Sequence, residues 1–406
     1  MIAIKNPYTP GAGLKPPYLA GREDAMRKVR QSQQAIESGA GVNPIVITGL
    51  RGMGKTALLG HIGDFLAPEG WFVLPVARFG RVSSLSSLWG RLREDIISRQ
   101  PRELISAKSK KFKTESLTWK AGGGIGPVGP SVTGEVVGKL VANNAQTLNQ
   151  EGVYDELFRL GEKAMNLKQP LLLLFDEVQE ANSEELAILA EFGQLAGERG
   201  WPIMIILAGL DPLKTRLAEA GTFAIRFPSV PANPLSEEES GLALTRPAKE
   251  LGVTYDQDAL DMAIEFSQGI PYHLQMIGQH NWEAKTSQNI KKKDVKKAIP
   301  LAQAELEETM YKPLWEKASI KEQQYLMAMA SMSKHSVGIS TNLINESLGK
   351  KHRSVTFLRQ RLIDKGLIHA TRYGILEFSY PNFGLYINKI HGLQVEEEGT
   401  LPSTLL

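Results

Sequence analysis

The chain has 406 residues, 42% of them hydrophobic, a net charge of +3 and no cysteine. That length allows two or three domains, and the lack of thiols excludes a disulfide scaffold and thiolate metal sites. So small a net charge points to no partner by itself; no apolar run is long enough to span a bilayer and the N-terminus lacks a secretion signal, so a cytoplasmic protein without membrane contact is expected.

Residues 1–17 are rich in Pro and Gly and read as irregular. Tyr18 to Asp24 then leads into a helical pattern that runs through Ile36. Pro44 to Thr48 is an apolar run that reads as a buried strand. Directly after it stands Gly49-Leu50-Arg51-Gly52-Met53-Gly54-Lys55-Thr56, a G-x-x-x-x-G-K-T loop that opens into a helical pattern at Ala57. Strand, glycine loop and helix together make a phosphate cradle. Glycines let backbone N–H groups turn inward around a polyphosphate, and the helix N-terminus adds partial positive charge. Gly49, Arg51, Gly52, Met53, Gly54, Lys55, Thr56 and Ala57 are the expected cradle. Lys55 can reach the terminal phosphates and Thr56 can offer its hydroxyl to Mg²⁺.

Pro68 ends the helix after this loop. Trp71 to Val76 reads as a second strand and Ser83 to Ser98 as a helix. Lys108, Lys110, Lys111 and Lys113 make a basic run, and residues 121–138 are crowded with glycine, which suits a hairpin or loop. Leu148 to Leu167 returns to helical periodicity. Leu171 to Phe175 is an all-apolar strand ending in Asp176-Glu177. Asp176 is expected in the Mg²⁺ shell and Glu177 as general base toward the attacking water. Ser183-Glu184-Glu185 caps the next helix, Pro202 to Ala208 is a further strand, and Phe223 to Phe227 a fifth, stopped by Pro228.

Strands alternating with helices predict a three-layer α/β domain with a parallel sheet over residues 18–234. Residues 235–308 hold no good strand and read as an all-α domain: Ser236 to Leu251, opened by a Ser236/Glu239 capping box, then Asp256 to Ser267, Tyr272 to Thr286 and Lys293 to Leu306. Residues 309–392 read as three helices, Lys321 to Met332, Ser340 to Leu348 and Arg353 to Lys365, followed by strands Leu367 to Ala370 and Ile375 to Phe378 around a turn at Arg372-Tyr373-Gly374. Between Lys317 and Lys389, Lys and Arg outnumber Asp and Glu by seven.

The phosphate loop, the Asp-Glu strand end and the helical domain behind the sheet resemble AAA+ P-loop ATPases, in the initiator-like branch that borders the STAND signalling group. Tyr18-Leu19-Ala20-Gly21-Arg22-Glu23 is similar to the segment that lies over adenine in that family, which implies nucleotide contacts for Leu19 and Arg22. Gly269-Ile270-Pro271-Tyr272-His273 resembles the turn of the helical lid that faces the nucleotide, implying Pro271 and His273. Arg226 stands near the place of an arginine finger, although relatives carry it just before the fifth strand and here it falls inside the strand read from the sequence. The strand over Ile203 to Leu207 departs from the pattern: Ala208-Gly209-Leu210-Asp211 stands where many relatives carry a polar sensor.

The C-terminal segment resembles a winged helix, a domain that commonly places its third helix in the major groove. Lys350, Lys351, Arg353, Arg359, Arg361 and Arg372 are the expected DNA contacts, with Lys365 beside them. The resemblance thus implies a P-loop NTPase that binds ATP or ADP with Mg²⁺, hydrolyses ATP, forms a homo-oligomer on ATP binding and engages double-stranded DNA. The alternative is a STAND-like signalling ATPase whose winged helix contacts protein.

Overall fold

The computed structural model describes residues 5–11, 13–80, 84–106, 150–332, 338–349 and 352–392. The basic run at 108–113, the glycine-crowded stretch at 121–138, Lys350 and Lys351 lie outside the described residues.

Six strands form a parallel sheet: β1 (Ile45–Thr48), β2 (Phe72–Val73), β3 (Ala77–Arg78), β4 (Leu171–Asp176), β5 (Ile203–Gly209) and β6 (Ser229–Pro231). Their order is β2-β4-β5-β1-β6, with β3 also paired to β4. β4 and β5 are buried along their whole length. Alternate side chains divide between two cores, as the pleat requires. Leu171, Leu173, Phe175, Ile203, Ile205 and Leu207 pack with Trp89, Phe192 and Trp201 on one face. Leu172, Leu174, Met204 and Ile206 pack with Leu58, Leu59 and Ile62 on the other. Each such side chain contributes about 1.5–3 kcal/mol on burial.

Two strands differ from the expected ones. Trp71 to Val76 is not one strand: β2 and β3 flank Pro75, which has no N–H to give to a ladder. Phe223 to Phe227 is not a strand at all. Thr222–Arg226 is a 3₁₀ turn with Ala224 buried and Ile225 and Arg226 exposed. Ala224 and Phe227, three residues apart, are the buried pair, which is the period of a 3₁₀ turn and not of a strand. The fifth strand is β6, beyond Pro228 instead of ending at it, and it pairs with β1.

Helices Glu237–Glu250, Gln257–Ser267, Pro271–Ala284 and Lys292–Leu306 build the second domain around its own core. Ser236 and Glu239 form the capping box. Two short strands, β7 (Thr254–Tyr255) and β8 (Asn289–Ile290), pair in parallel across it, where a purely helical domain was expected. Tyr8 from the N-terminal segment is buried in this core and donates its hydroxyl to the Leu244 carbonyl at 2.5 Å.

The third unit contains helices Ile320–Met332, Thr341–Ser347 and His352–Asp364 and an antiparallel sheet of β9 (Ile339–Ser340), β10 (Ile368–Arg372) and β11 (Ile375–Phe378) in the order β10-β11-β9. β9 and the closing helix Phe383–Ile390 are additions to the elements read from the sequence. Phe383 and Ile387 of that helix are fully buried against Tyr325, Met329 and Leu362.

Candidate active site

Parallel pairing brings the carboxyl ends of β1, β3, β4 and β5 to one edge of the sheet. Thr48 aligns with Gly209, Phe175 with Leu207, and Arg78 with Asp176. Crevices outside such strand ends are where α/β sheets bind ligands. Here a cavity of about 440 Å³ opens, lined by loop, lid and third-unit residues alike.

The phosphate loop turns from β1 into helix Lys55–Leu66, with Gly52 and Gly54 at φ of 81° and 76°. Only glycine takes this conformation without cost, and it aims the loop's amides inward. Lys55 is buried and donates to the Gly49 and Leu50 carbonyls at 2.7 and 2.8 Å. Burial lowers its ammonium to about 8, against the opposing pull of Glu177 and Asp176. A buried ammonium held only by carbonyl oxygens gains when an anion shares its site.

Thr56 donates its hydroxyl to Asp176 Oδ2 at 2.6 Å, and Asp176 Oδ1 accepts the Glu177 N–H at 2.9 Å. A hydroxyl and a carboxylate so placed are the hard oxygen donors that suit Mg²⁺. Arg78, which the sequence reading missed, lies 3.4 Å from the same Asp176 oxygen. Nothing near Arg78 in sequence marks it; only the pairing of β3 with β4 brings it here.

Glu177 has left-handed backbone at φ 55°, uncommon for a non-glycine residue. Its carboxylate is 3.6 Å from Arg51 and accepts from Gln179 Nε2 at 2.5 Å. Burial pushes this carboxyl up, but Arg51, the Gln179 hydrogen bond and Lys55 outweigh it and hold it below the usual range. It is therefore ionised at neutral pH, as a base must be before it accepts a proton.

Arg51, Gly52, Met53, Gly54, Lys55, Thr56, Ala57, Leu19, Arg22, Glu177 and Pro271 all line the cavity. Gly49 stands behind them as the acceptor for Lys55. Arg22 is buried and donates to the carbonyls of Met53 and Asn233 at 2.9 and 3.2 Å, so it clamps the loop to the entrance of the lid. His273 does not line the cavity. Its ring is buried within helix Pro271–Ala284, and burial lowers it to about 4 although a backbone hydrogen bond at Ser267 opposes this. Pro271, Tyr272 and Gln275 are the residues this helix turns toward the site. Arg226 lies at the other end of the sheet, beside Gly41, Asn43 and Glu198 ahead of β1. It is out of reach of the phosphate loop of its own chain.

Two further contributions were not visible in the sequence. The N-terminal segment crosses the cavity mouth: Thr9 donates its N–H to Gln275 at 3.1 Å, Lys15 pairs with Asp64, and Pro10, Leu14 and Pro16 add to the lining. The third unit also reaches the site. The Tyr380 hydroxyl accepts the Arg51 N–H at 3.4 Å, and Lys317 lies 3.3 Å from Glu180, which is itself 3.8 Å from Arg51.

In the third unit, Arg353 belongs to helix His352–Asp364. Arg359 is half-buried with its Nε sealed from solvent and unbonded. Arg361 is held 3.1 Å from the fully buried Glu322, which also takes Lys365 at 2.6 Å. Arg372 is exposed at the end of β10, beside Tyr373, which is 106% exposed. Among the described residues no helix is long and apolar enough to cross a membrane.

Residues 18–206 match the family model of the AAA ATPase domain. Residues 308–387 match a separate model, a domain of unknown function (DUF8462). No curated protein matches the chain. Among solved structures, the Walker-type ATPase PABY2304 of Pyrococcus abyssi aligns over 91% of this chain and 96% of its own, with 17% identity and a TM-score of 0.59. Cdc6p of Pyrobaculum aerophilum aligns over 95% and 97%, with 15% identity and a TM-score of 0.46. RuvB of Thermotoga maritima, a Holliday junction branch migration motor, aligns over 93% and 96%, with 14% identity and a TM-score of 0.45. The first likeness is one of fold; the other two are too loose to add to it. Family match, sheet and phosphate loop agree that residues 18–206 form a P-loop ATPase domain of the AAA+ type.

Proposed function

We propose that this protein is an ATP-hydrolysing molecular switch whose third unit is a winged helix that engages double-stranded DNA. The observation that carries the nucleotide reading is the Thr56–Asp176 contact of 2.6 Å beside a buried Lys55. Thr56 and Asp176 would hold Mg²⁺, and Lys55 with the loop amides would hold the polyphosphate. Bound there, the metal would supply neutralisation of charge on the phosphate oxygens. Glu177 orients a water molecule and takes its proton as the water oxygen bonds to the terminal phosphorus and the bond to the ADP oxygen breaks. Arg226, at the far end of the sheet, serves only a neighbouring copy, so its role as arginine finger requires the homo-oligomer. Glu177→Gln tests the assignment: nucleotide binding should persist while turnover falls, and wild-type turnover in that variant would sink it.

The DNA reading rests on the basic surplus of the third unit and on the exposed Arg372 at its strand turn. A salt series with duplex DNA tests it, since phosphate contacts release counterions. One observation favours the second reading, a STAND-like signalling ATPase: Tyr380 and Lys317 of the third unit contact the loop and turn that carry Arg51 and Glu180. Absence of duplex binding at low salt, with and without ATP, would favour that reading.

A further inference from the structure

Glu177 needs something to aim it. Its left-handed backbone lies in neither strand nor helix, so no regular element sets the direction of its carboxylate. Gln179, two residues on, is fixed from both ends. Its Nε2 donates to Glu177 Oε2 at 2.5 Å and its Oε1 accepts the Leu210 N–H at 3.1 Å. Its backbone carbonyl accepts from Arg216 at 2.5 Å, and Arg216 also donates to the Ala181 carbonyl at 2.8 Å, which pins the turn from below.

The chemistry of this bridge calls for a side chain that both donates and accepts. An ionised carboxylate only accepts, and a backbone N–H only donates. The group between them must donate at one end and accept at the other, which an amide does and a carboxylate or thioether does not. Space for it comes from Gly209 at the end of β5: a Cβ there would lie 2.8 Å from Gln179 Oε1. Gly209 pairs in register with Thr48, the last residue of β1 before the phosphate loop.

We infer that Gln179 is the positioning residue of Glu177, an amide strut that ties the base to the end of β5 and so to the strand that leads into the phosphate loop. This rests on the reading of Glu177 as the base. The strut resists the pull of Arg51, which holds the same carboxylate from the loop side at 3.6 Å. Without it the carboxylate swings toward Arg51 and leaves the water undirected.

Gln179→Glu and Gln179→Met in the full-length protein test this. Glu keeps the acceptor for Leu210 and loses the donor to Glu177; Met keeps length and loses both. Losing a hydrogen bond to a charged group corresponds to about 10- to 100-fold. Both variants should lower kcat by about that factor, with KM and calorimetric nucleotide affinity within about threefold of wild type. Amide exchange at Leu210 should accelerate about tenfold or more in the Met variant alone, because Leu210 is buried and Gln179 is its acceptor. Wild-type turnover in both variants, nucleotide affinity falling in step with kcat, or unchanged Leu210 exchange in Gln179→Met would overturn the inference. Failure of the underlying reading has another signature: Glu177→Gln would keep full turnover. If one variant does not fold, the other still separates these outcomes, since each changes the donor to Glu177.

Discussion

The strand ends of the first domain and the third unit both carry charge on small, well-packed scaffolds, yet they use it in opposite ways. At the strand ends, buried charges meet polar groups more than opposite charges: Lys55 donates only to carbonyl oxygens, and Asp176 accepts the Thr56 hydroxyl and the Glu177 N–H, with the exposed Arg78 3.4 Å away. In the third unit the basic groups read as a DNA surface are partly consumed by the protein itself. Arg361 and Lys365 both neutralise Glu322, which is fully buried in the helix beneath them. An uncompensated buried charge is costly and so marks a site; a paired surface charge marks only a surface. Counting charges along the sequence weighs the two alike, and the structure separates them.

The largest expected effect sharpens the first half of this contrast. Glu177→Gln should lower hydrolysis by about 10²- to 10⁴-fold, the range of a lost general base, while calorimetry finds nucleotide affinity within a few-fold of wild type. A smaller effect is expected on binding. Lys55→Ala removes the buried ammonium and should weaken ATP affinity by about 10- to 100-fold, the range for hydrogen bonds to charged groups. Undiminished affinity in that variant would break the comparison, because Lys55 would then be a structural cation like Lys365.

How much of this was legible before folding follows from the distance over which each feature acts. The phosphate loop and the Asp176-Glu177 strand end are each contiguous in sequence, so their residue types and spacing could be read directly. β4 and β5 are buried on both faces, so unbroken apolar runs gave them away. Arg78, Gln179 and Tyr380 were missed because their roles depend on neighbours far along the chain: Arg78 on β4, Gln179 on Leu210, and Tyr380 on Arg51. The helix over Phe383–Ile390 escaped notice behind Pro381, and its start at Asn382 uses left-handed backbone that no simple cap rule anticipates. His273 was drawn to the site by resemblance, but its position along the lid helix turns the ring inward.

That inward ring gives an acid-sensitive element outside the cavity lining. The His273 imidazole sits at about 4 in the folded protein because burial disfavours its charged form. Its usual value is about 6.5, so between these limits the unfolded chain binds more protons. Stability therefore rises with pH across that window and falls on acidification from about 6.5 toward 4. At pH 5 the loss should be about 2 kcal/mol at most, from roughly 1.5 units at 1.36 kcal/mol each. Thermal unfolding of wild type and His273→Gln between about pH 4.5 and about pH 7, a range that spans the usual histidine value, checks this. A slope unchanged by the substitution would place the acid-sensitive group elsewhere.

The smallest expected effect probes the other half of the contrast. Arg372 is exposed at the end of β10, whereas Arg361 is held by Glu322. If the third unit meets DNA phosphates, Arg372→Glu should reduce the slope of log affinity against log salt by about one and weaken binding similarly for unrelated duplexes. Arg361→Gln should change that slope less and thermal stability more, because it leaves a buried carboxylate with Lys365 and the Ser319 N–H as its partners, both on Oε2. Equal slopes for the two variants would mean that Arg361 leaves Glu322 when DNA arrives, and the pairing would then be a stored state of the binding surface. No duplex binding by the wild type would assign the exposed Phe357 and Tyr373, at 63% and 106% exposure, to a protein partner instead.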